Sequence, residues 1–128
     1  MRFLLDTQVA IWALLDSPRL SREAREILDA SENRLLFSVC SIWEIAIKRG
    51  LKKPGFQHDA KLIRRTLLLN GCQELAIQSP HAFEVESLPP IHKDPFDRML
   101  IAQAMVEGIT LLTADPVIAQ YPGPIRKI

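Results

Sequence analysis

Short apolar runs alternate along the chain with longer stretches in which apolar positions recur every three or four residues. Phe3-Leu4-Leu5 is such a run and predicts a strand buried on both faces. Asp6-Thr7 ends it, and Gln8–Leu15 follows as a helix apolar nearly all round. After the turn Asp16-Ser17-Pro18, Ser21 can cap a second helix. Its Ala24, Ile27 and Leu28 form one stripe, with Arg22, Glu23, Arg25 and Glu26 outward. Leu35–Val39 reads as the second strand. Ser41-Ile42-Trp43-Glu44 then opens a helix ending at Gly50, with Ser41 and Glu44 spaced as a capping box. Asp59 begins an amphipathic helix with Leu62, Ile63 and Leu67 inward and Gly71 at its end. Glu74–Ile77 predicts a third strand. Ser79-Pro80 opens a short helix through Glu86, on which His81 reads as a surface residue. A loop, Leu88–His92, leads to a helix from Pro95 to Gly108. Ile109–Thr113 is the fourth strand, closed by Ala114-Asp115-Pro116, and Ile125–Ile128 is a last edge strand.

Strands alternating with helices predict an α/β fold, a doubly wound parallel sheet of four to five strands flanked by helices. In such a sheet Asp6 and Asp115 end strands at the carboxyl edge. The helices carrying Glu44 and Asp97 start at the same edge, where ligands bind.

The stretch His92-Lys93-Asp94-Pro95-Phe96-Asp97 carries two of the acids across a loop-to-helix boundary. Pro95 suits the first helical turn and biases Asp94 toward an N-cap. Capping accounts for Asp94 but does not require Asp97. Asp6 and Glu44 each have a capping explanation of their own. Four acids at one edge are harder to explain that way, because like charges a few ångströms apart repel and raise one another's pKa. A cluster of carboxylate oxygens suits Mg2+ or Mn2+, ions that assist hydrolysis of phosphodiesters. His92 stays outside the acid positions, as a loop residue.

Length and composition narrow the picture further. The 128 residues fit a single domain, 1–128, with 48% apolar and 24% charged residues, an ordinary soluble balance. Two cysteines, Cys40 and Cys72, give neither a disulfide framework nor a zinc pattern, so a reduced cytoplasmic setting is expected. Asp6 interrupts the first apolar run too early for a signal peptide, and the run Val9–Leu15 is too short to span a bilayer. The net charge of +1 does not select a partner, but its distribution is uneven. Between Lys48 and Arg65, seven basic residues (Lys48, Arg49, Lys52, Lys53, Lys61, Arg64, Arg65) meet one acid, Asp59. A solvated helical face and a phosphate-contacting surface both fit that pattern.

Four motifs in order, Leu5-Asp6-Thr7, Ser41-x-x-Glu44, Asp97 followed by Leu100-Ile101-Ala102-x-Ala104, and Leu112-Thr113-x-Asp115, resemble the signature of PIN domains. The set spans nearly the whole chain and is most similar to the small VapC-type toxins of bacterial toxin–antitoxin pairs. The resemblance implies a PIN-like, Rossmann-like three-layer fold and a metal-dependent endoribonuclease leaving a 3′-hydroxyl. Carried over, Asp6, Glu44, Asp97 and Asp115 would be the catalytic and metal-binding acids, with Thr7 and Thr113 as polar support. Asp94 would be a cap, an outer support or an alternate ligand, and Gln8 stands where the family often has Asn. Lys48, Lys61, Arg64 and Arg65 are the candidate RNA contacts. A homodimer and a cognate antitoxin are implied as well. A DNA- or flap-directed nuclease with the same acids, or an inactive binding module, are the alternatives. A small-molecule phosphohydrolase ranks last, because no Gly-rich phosphate loop is present.

Overall fold

The computed structural model describes residues 1–52 and 57–128, so Lys53 of the basic segment lies outside the described residues. Strands β1 (Arg2–Leu5), β2 (Arg34–Ser38), β3 (Gln73–Leu75), β4 (Thr110–Thr113) and β5 (Ile125–Lys127) form one sheet. Its order is β3-β2-β1-β4-β5, and every pairing is parallel. Helices α1 (Thr7–Leu14), α2 (Arg22–Asp29), α3 (Val39–Gly50), α4 (Ala60–Leu69), α5 (Ser79–Ser87) and α6 (Pro95–Glu107) cover it.

Alternation along each strand divides the core in two. Phe3, Leu5, Phe37 and Leu112 face α1, α2 and α4, where they meet Val9, Ile27, Ile63 and Leu67. Leu4, Leu36 and Leu111 face the other way, against Leu100, Ile101 and Ala104 of α6. Both faces of the sheet are therefore buried, which is why β1 reads as an unbroken apolar run. Truncating a fully buried side chain such as Leu4 or Leu111 to Ala would cost about 2–5 kcal/mol.

The register sets Leu5 beside Leu112, and the Asp6 N–H donates to the Leu112 carbonyl at 3.1 Å. Asp6 thus emerges level with Thr113, at the strands' carboxyl ends. Gly108, with φ 66°, ends α6 in the left-handed conformation that glycine adopts most readily.

Several expectations need correction. On α4 Ile63 and Leu67 are buried as expected, but Leu62 is 60% exposed and the C-cap is Asn70 rather than Gly71. The N-cap of α3 is Ser38, whose Oγ accepts the Cys40 N–H at 2.9 Å, so the helix begins at Val39. Ser41 and Glu44 lie inside it and form no capping box. Strand β3 stops at Leu75, and the Ala76 carbonyl accepts from Gln103 Nε2 at 3.3 Å. His81 is not a surface residue: it is 1% exposed. Its Nδ1 accepts the Gln78 N–H at 3.0 Å and its Nε2 meets Glu107 at 2.9 Å, which ties α5 to α6.

Candidate functional site

The carboxyl ends of β1 and β4, the first turns of α1 and α6 and the middle of α3 border an open cleft of about 300 Å³. Asp6, Glu44, Lys48, Asp94, Asp97 and Asp115 line it. The four acids singled out by sequence therefore share one cleft, and Asp94 joins them.

Asp6 caps α1, with Oδ1 accepting the Val9 N–H at 2.7 Å. Its Oδ2 accepts from the Thr113 hydroxyl. The same hydroxyl oxygen accepts the Asp115 N–H at 3.0 Å, so Thr113 bridges two acids. Burial pushes the Asp6 carboxyl up to about 6; the charges of Asp115 and Glu44 add to the rise, while the bonds from Thr113 and Val9 oppose it. Asp115 in turn receives the Val117 N–H on Oδ1 at 2.8 Å.

Glu44 is held at both oxygens and is 4% exposed. Thr7 donates to its Oε1 at 2.7 Å and lies 2.8 Å from the Ser41 hydroxyl. Lys48, one turn further along α3, donates to Oε2 at 2.5 Å. Burial works against the charge on Lys48. Its hydrogen bond to Glu44 and the charges of Glu44, Asp94 and Asp97 outweigh that and raise its pKa.

Asp94 caps α6, and its Oδ1 accepts the Phe96 and Asp97 N–H groups at 2.8 and 3.2 Å. Asp97 sits in the first turn, as the proline pattern predicted, with Oδ2 2.7 Å from His92 Nε2. Burial raises its carboxyl to about 6; the neighbouring charge of Asp94 contributes next, against the His92 hydrogen bond. The expected rise is thus present at Asp6 and Asp97, but desolvation is a larger cause than mutual repulsion. Cys40, beneath the acids, is pushed up to about 12 by burial and then by their charges, so it stays a thiol.

Sequence reasoning missed His92. Its only signal was a position five residues ahead of Asp97, across a helix-initiating proline. Of the candidate RNA contacts, Lys48 lines the cleft, while Lys61, Arg64 and Arg65 lie exposed on α4. Arg64 is paired with Glu74 at 2.6 Å and Arg49 with Asp59 at 3.3 Å. Part of the basic segment is therefore already neutralised.

Asp6 and Glu44 are held at both oxygens, whereas among the described residues Asp94, Asp97 and Asp115 each have one oxygen tied to the scaffold and one without a hydrogen bond. Among the described residues, the group whose ligand atoms lie within 4.8 Å of one another is His92, Asp94 and Asp97. Asp6 and Asp115 face the same space from further off. Hard oxygen donors spread in this way fit Mg2+ or Mn2+, because Mg2+ binds through one or two carboxylates and keeps several waters.

Comparison with known proteins adds an independent line. The PIN domain family model matches residues 3–124. Among solved structures, the chain is similar to VapBC2 from Rickettsia felis bound to a DNA fragment from its promoter. That match has 16% identity and a TM-score of 0.72, covering 99% of this chain and 98% of the other. DNA-bound VapBC from Salmonella typhimurium matches at 20% identity and TM-score 0.69, with the same coverage. A toxin–antitoxin complex from Klebsiella pneumoniae matches at 20% and 0.64, covering 98% of each chain. At these identities the likeness is one of fold. No curated protein matches the chain.

Proposed function

The chain belongs to the PIN domain family, and from that membership we propose that it is a metal-dependent endoribonuclease serving as the toxin of a toxin–antitoxin pair. The observation that carries the reading is the cleft in which Asp6, Glu44, Asp94, Asp97 and Asp115 meet at the sheet's carboxyl edge. Asp97, Asp115 and Asp6 would hold the cation, with Asp94 beside them. Mg2+ or Mn2+ bound there would supply counter-charge to a phosphate and acidify a water.

The chain's own residues prepare that chemistry. Thr113 holds the Asp6 carboxylate and the Asp115 backbone in one register. Lys48 and Thr7 compensate Glu44, which leaves it an outer support that sets the local charge. Asp6 and Asp97, raised to about 6 chiefly by burial, are acids whose ionised forms a cation would favour. The cleft is open, as a polymer threading past the acids requires.

An antitoxin partner is supported by the fold's recurrence in the toxin–antitoxin complexes named above. A homodimer belongs to the same proposal and is checked by light scattering. Among the described residues no helix is long and apolar enough to cross a membrane. The decisive experiment compares wild type with Asp97→Asn on a single-stranded RNA and a DNA of the same sequence, with Mn2+ and with chelator. The expected result is RNA cleavage by wild type with Mn2+ alone. Cleavage by a folded Asp97→Asn protein would remove the site assignment. DNA cut as fast as RNA would move the substrate to DNA.

A further inference from the structure

Asp97 is held from outside its helix. His92 Nε2 lies 2.7 Å from Asp97 Oδ2, and opposite an ionised carboxylate Nε2 is the protonated nitrogen, the donor. Among the described residues no hydrogen bond reaches Asp97 Oδ1, on a side chain that lines the cleft. The backbone that carries the imidazole is anchored in turn. The His92 N–H donates to the buried Tyr121 hydroxyl at 2.7 Å, and that hydroxyl donates back to the His92 carbonyl at 3.3 Å. Arg98 completes the clamp. Its Nη1 donates to the Pro89 carbonyl at 3.0 Å and to the Tyr121 hydroxyl at 3.2 Å, and its Nη2 donates to the Val85 carbonyl at 3.0 Å. A guanidinium keeps its charge and its fork of donors at any working pH, so this loop is fixed by a permanent cation. Arg98 is also the residue next to Asp97, so the acid and its clamp sit on one turn of α6.

We propose that His92 is a positioning residue: it fixes Asp97 Oδ2 so that Oδ1 is presented to a divalent cation, and Tyr121 and Arg98 act through it. The inference rests on the metal-centre reading above and adds to it a residue outside the acid set. His92 orients Asp97 without ligating the ion, because its Nε2 is already used on Asp97. Partners that orient a ligating side chain are worth about 10–100-fold in metal affinity.

The test titrates Mn2+ by calorimetry into metal-free wild type, His92→Phe, His92→Gln and Tyr121→Phe, with melting in chelator recorded for each. Glutamine keeps a donor nitrogen near the Nε2 position, whereas phenylalanine keeps only the ring's bulk. The affinity of His92→Phe should fall about tenfold, with His92→Gln recovering most of the loss and Tyr121→Phe falling between. Spin-echo spectra of Mn2+-loaded wild type should show no nitrogen coupling from a directly bonded imidazole. His92→Phe binding Mn2+ as tightly as wild type would overturn the proposal, as would imidazole coupling. Should His92→Phe not fold, wild-type affinity in Tyr121→Phe would overturn it instead. A wild type that binds no Mn2+ refutes the metal centre itself, and the positioning role with it. A wild type that binds while His92→Phe is unaffected refutes the positioning role alone.

Discussion

Ionised Asp97 is unfavourable in the metal-free fold, so replacing it by its neutral near-isostere should stabilise the protein. Its carboxyl is raised from 3.8 to about 6, first by burial and then by Asp94. Between those pH values the folded protein holds a proton that the unfolded chain has released. Metal-free stability therefore falls as pH rises through that window. At about 1.36 kcal/mol per pH unit, the charged form carries a penalty of about 3 kcal/mol. Two effects reduce what Asp97→Asn recovers. The side chain is 18% exposed, and the bond from His92 changes from charge-assisted to neutral, a loss of about 1 kcal/mol. A net gain of about 1–2 kcal/mol remains near pH 7.5 in chelator. For a 128-residue chain this corresponds to a melting temperature higher by about 4–8 °C. The assay is thermal unfolding by circular dichroism of both proteins, with chelator, near pH 7.5 and near pH 5. The gap should shrink at the lower pH, where Asp97 is protonated in the wild type as well. Mn2+ at about a hundred times its dissociation constant should add about 2.7 kcal/mol to wild type and less to the variant. A variant that melts at or below wild type in chelator at neutral pH, or a gap that widens on acidification, refutes the reasoning.

Lys48→Met would leave the buried Glu44 carboxylate without its cation, and a loss of about 3 kcal/mol in urea unfolding is expected. A loss below about 1 kcal/mol would mean that water replaces the ammonium without difficulty. Thr113→Val removes the hydroxyl that serves both Asp6 and the Asp115 N–H, so stability should drop by about 2 kcal/mol, and an unchanged urea midpoint would contradict that role. Replacing Lys61, Arg64 and Arg65 together by Ala should weaken binding of a single-stranded RNA and reduce the slope of log affinity against log salt by about 2. Unchanged affinity and slope would make that face of α4 merely solvated.

Much of the site could be read before the fold was known, because a parallel sheet sends strand ends and helix starts to one edge. Asp6 and Asp115 ended apolar runs, and Asp97 opened a helix behind a proline, so their convergence followed from alternation alone. The start of α3 was not legible. Ser38 and Ser41 cap equally well by composition, and Val39-Cys40 suits a strand or a helix. The choice is made by packing: Cys40 enters the core, and the Ser38 hydroxyl donates to Gln103 at 2.6 Å, 65 residues away. Glu44 reaches the cleft as expected, but as a buried partner of Thr7 and Lys48 inside α3 rather than as half of a capping box. His81 and His92 were misread for a common cause. Each owes its setting to partners remote in sequence, Glu107 for one and Tyr121 for the other, which local spacing does not encode.

The two outer strands have a consequence for how the molecule meets others. β3 and β5 are three residues long and expose Gln73 and Glu74 on one flank, Arg126 and Lys127 on the other. Two of these charges are fastened to helices, Glu74 to Arg64 on α4 and Arg126 to Glu23 on α2 at 2.6 Å. A neighbouring chain that tried to extend the sheet would find few open backbone groups, flanked by charged side chains. Edge-to-edge fibril growth is thereby discouraged.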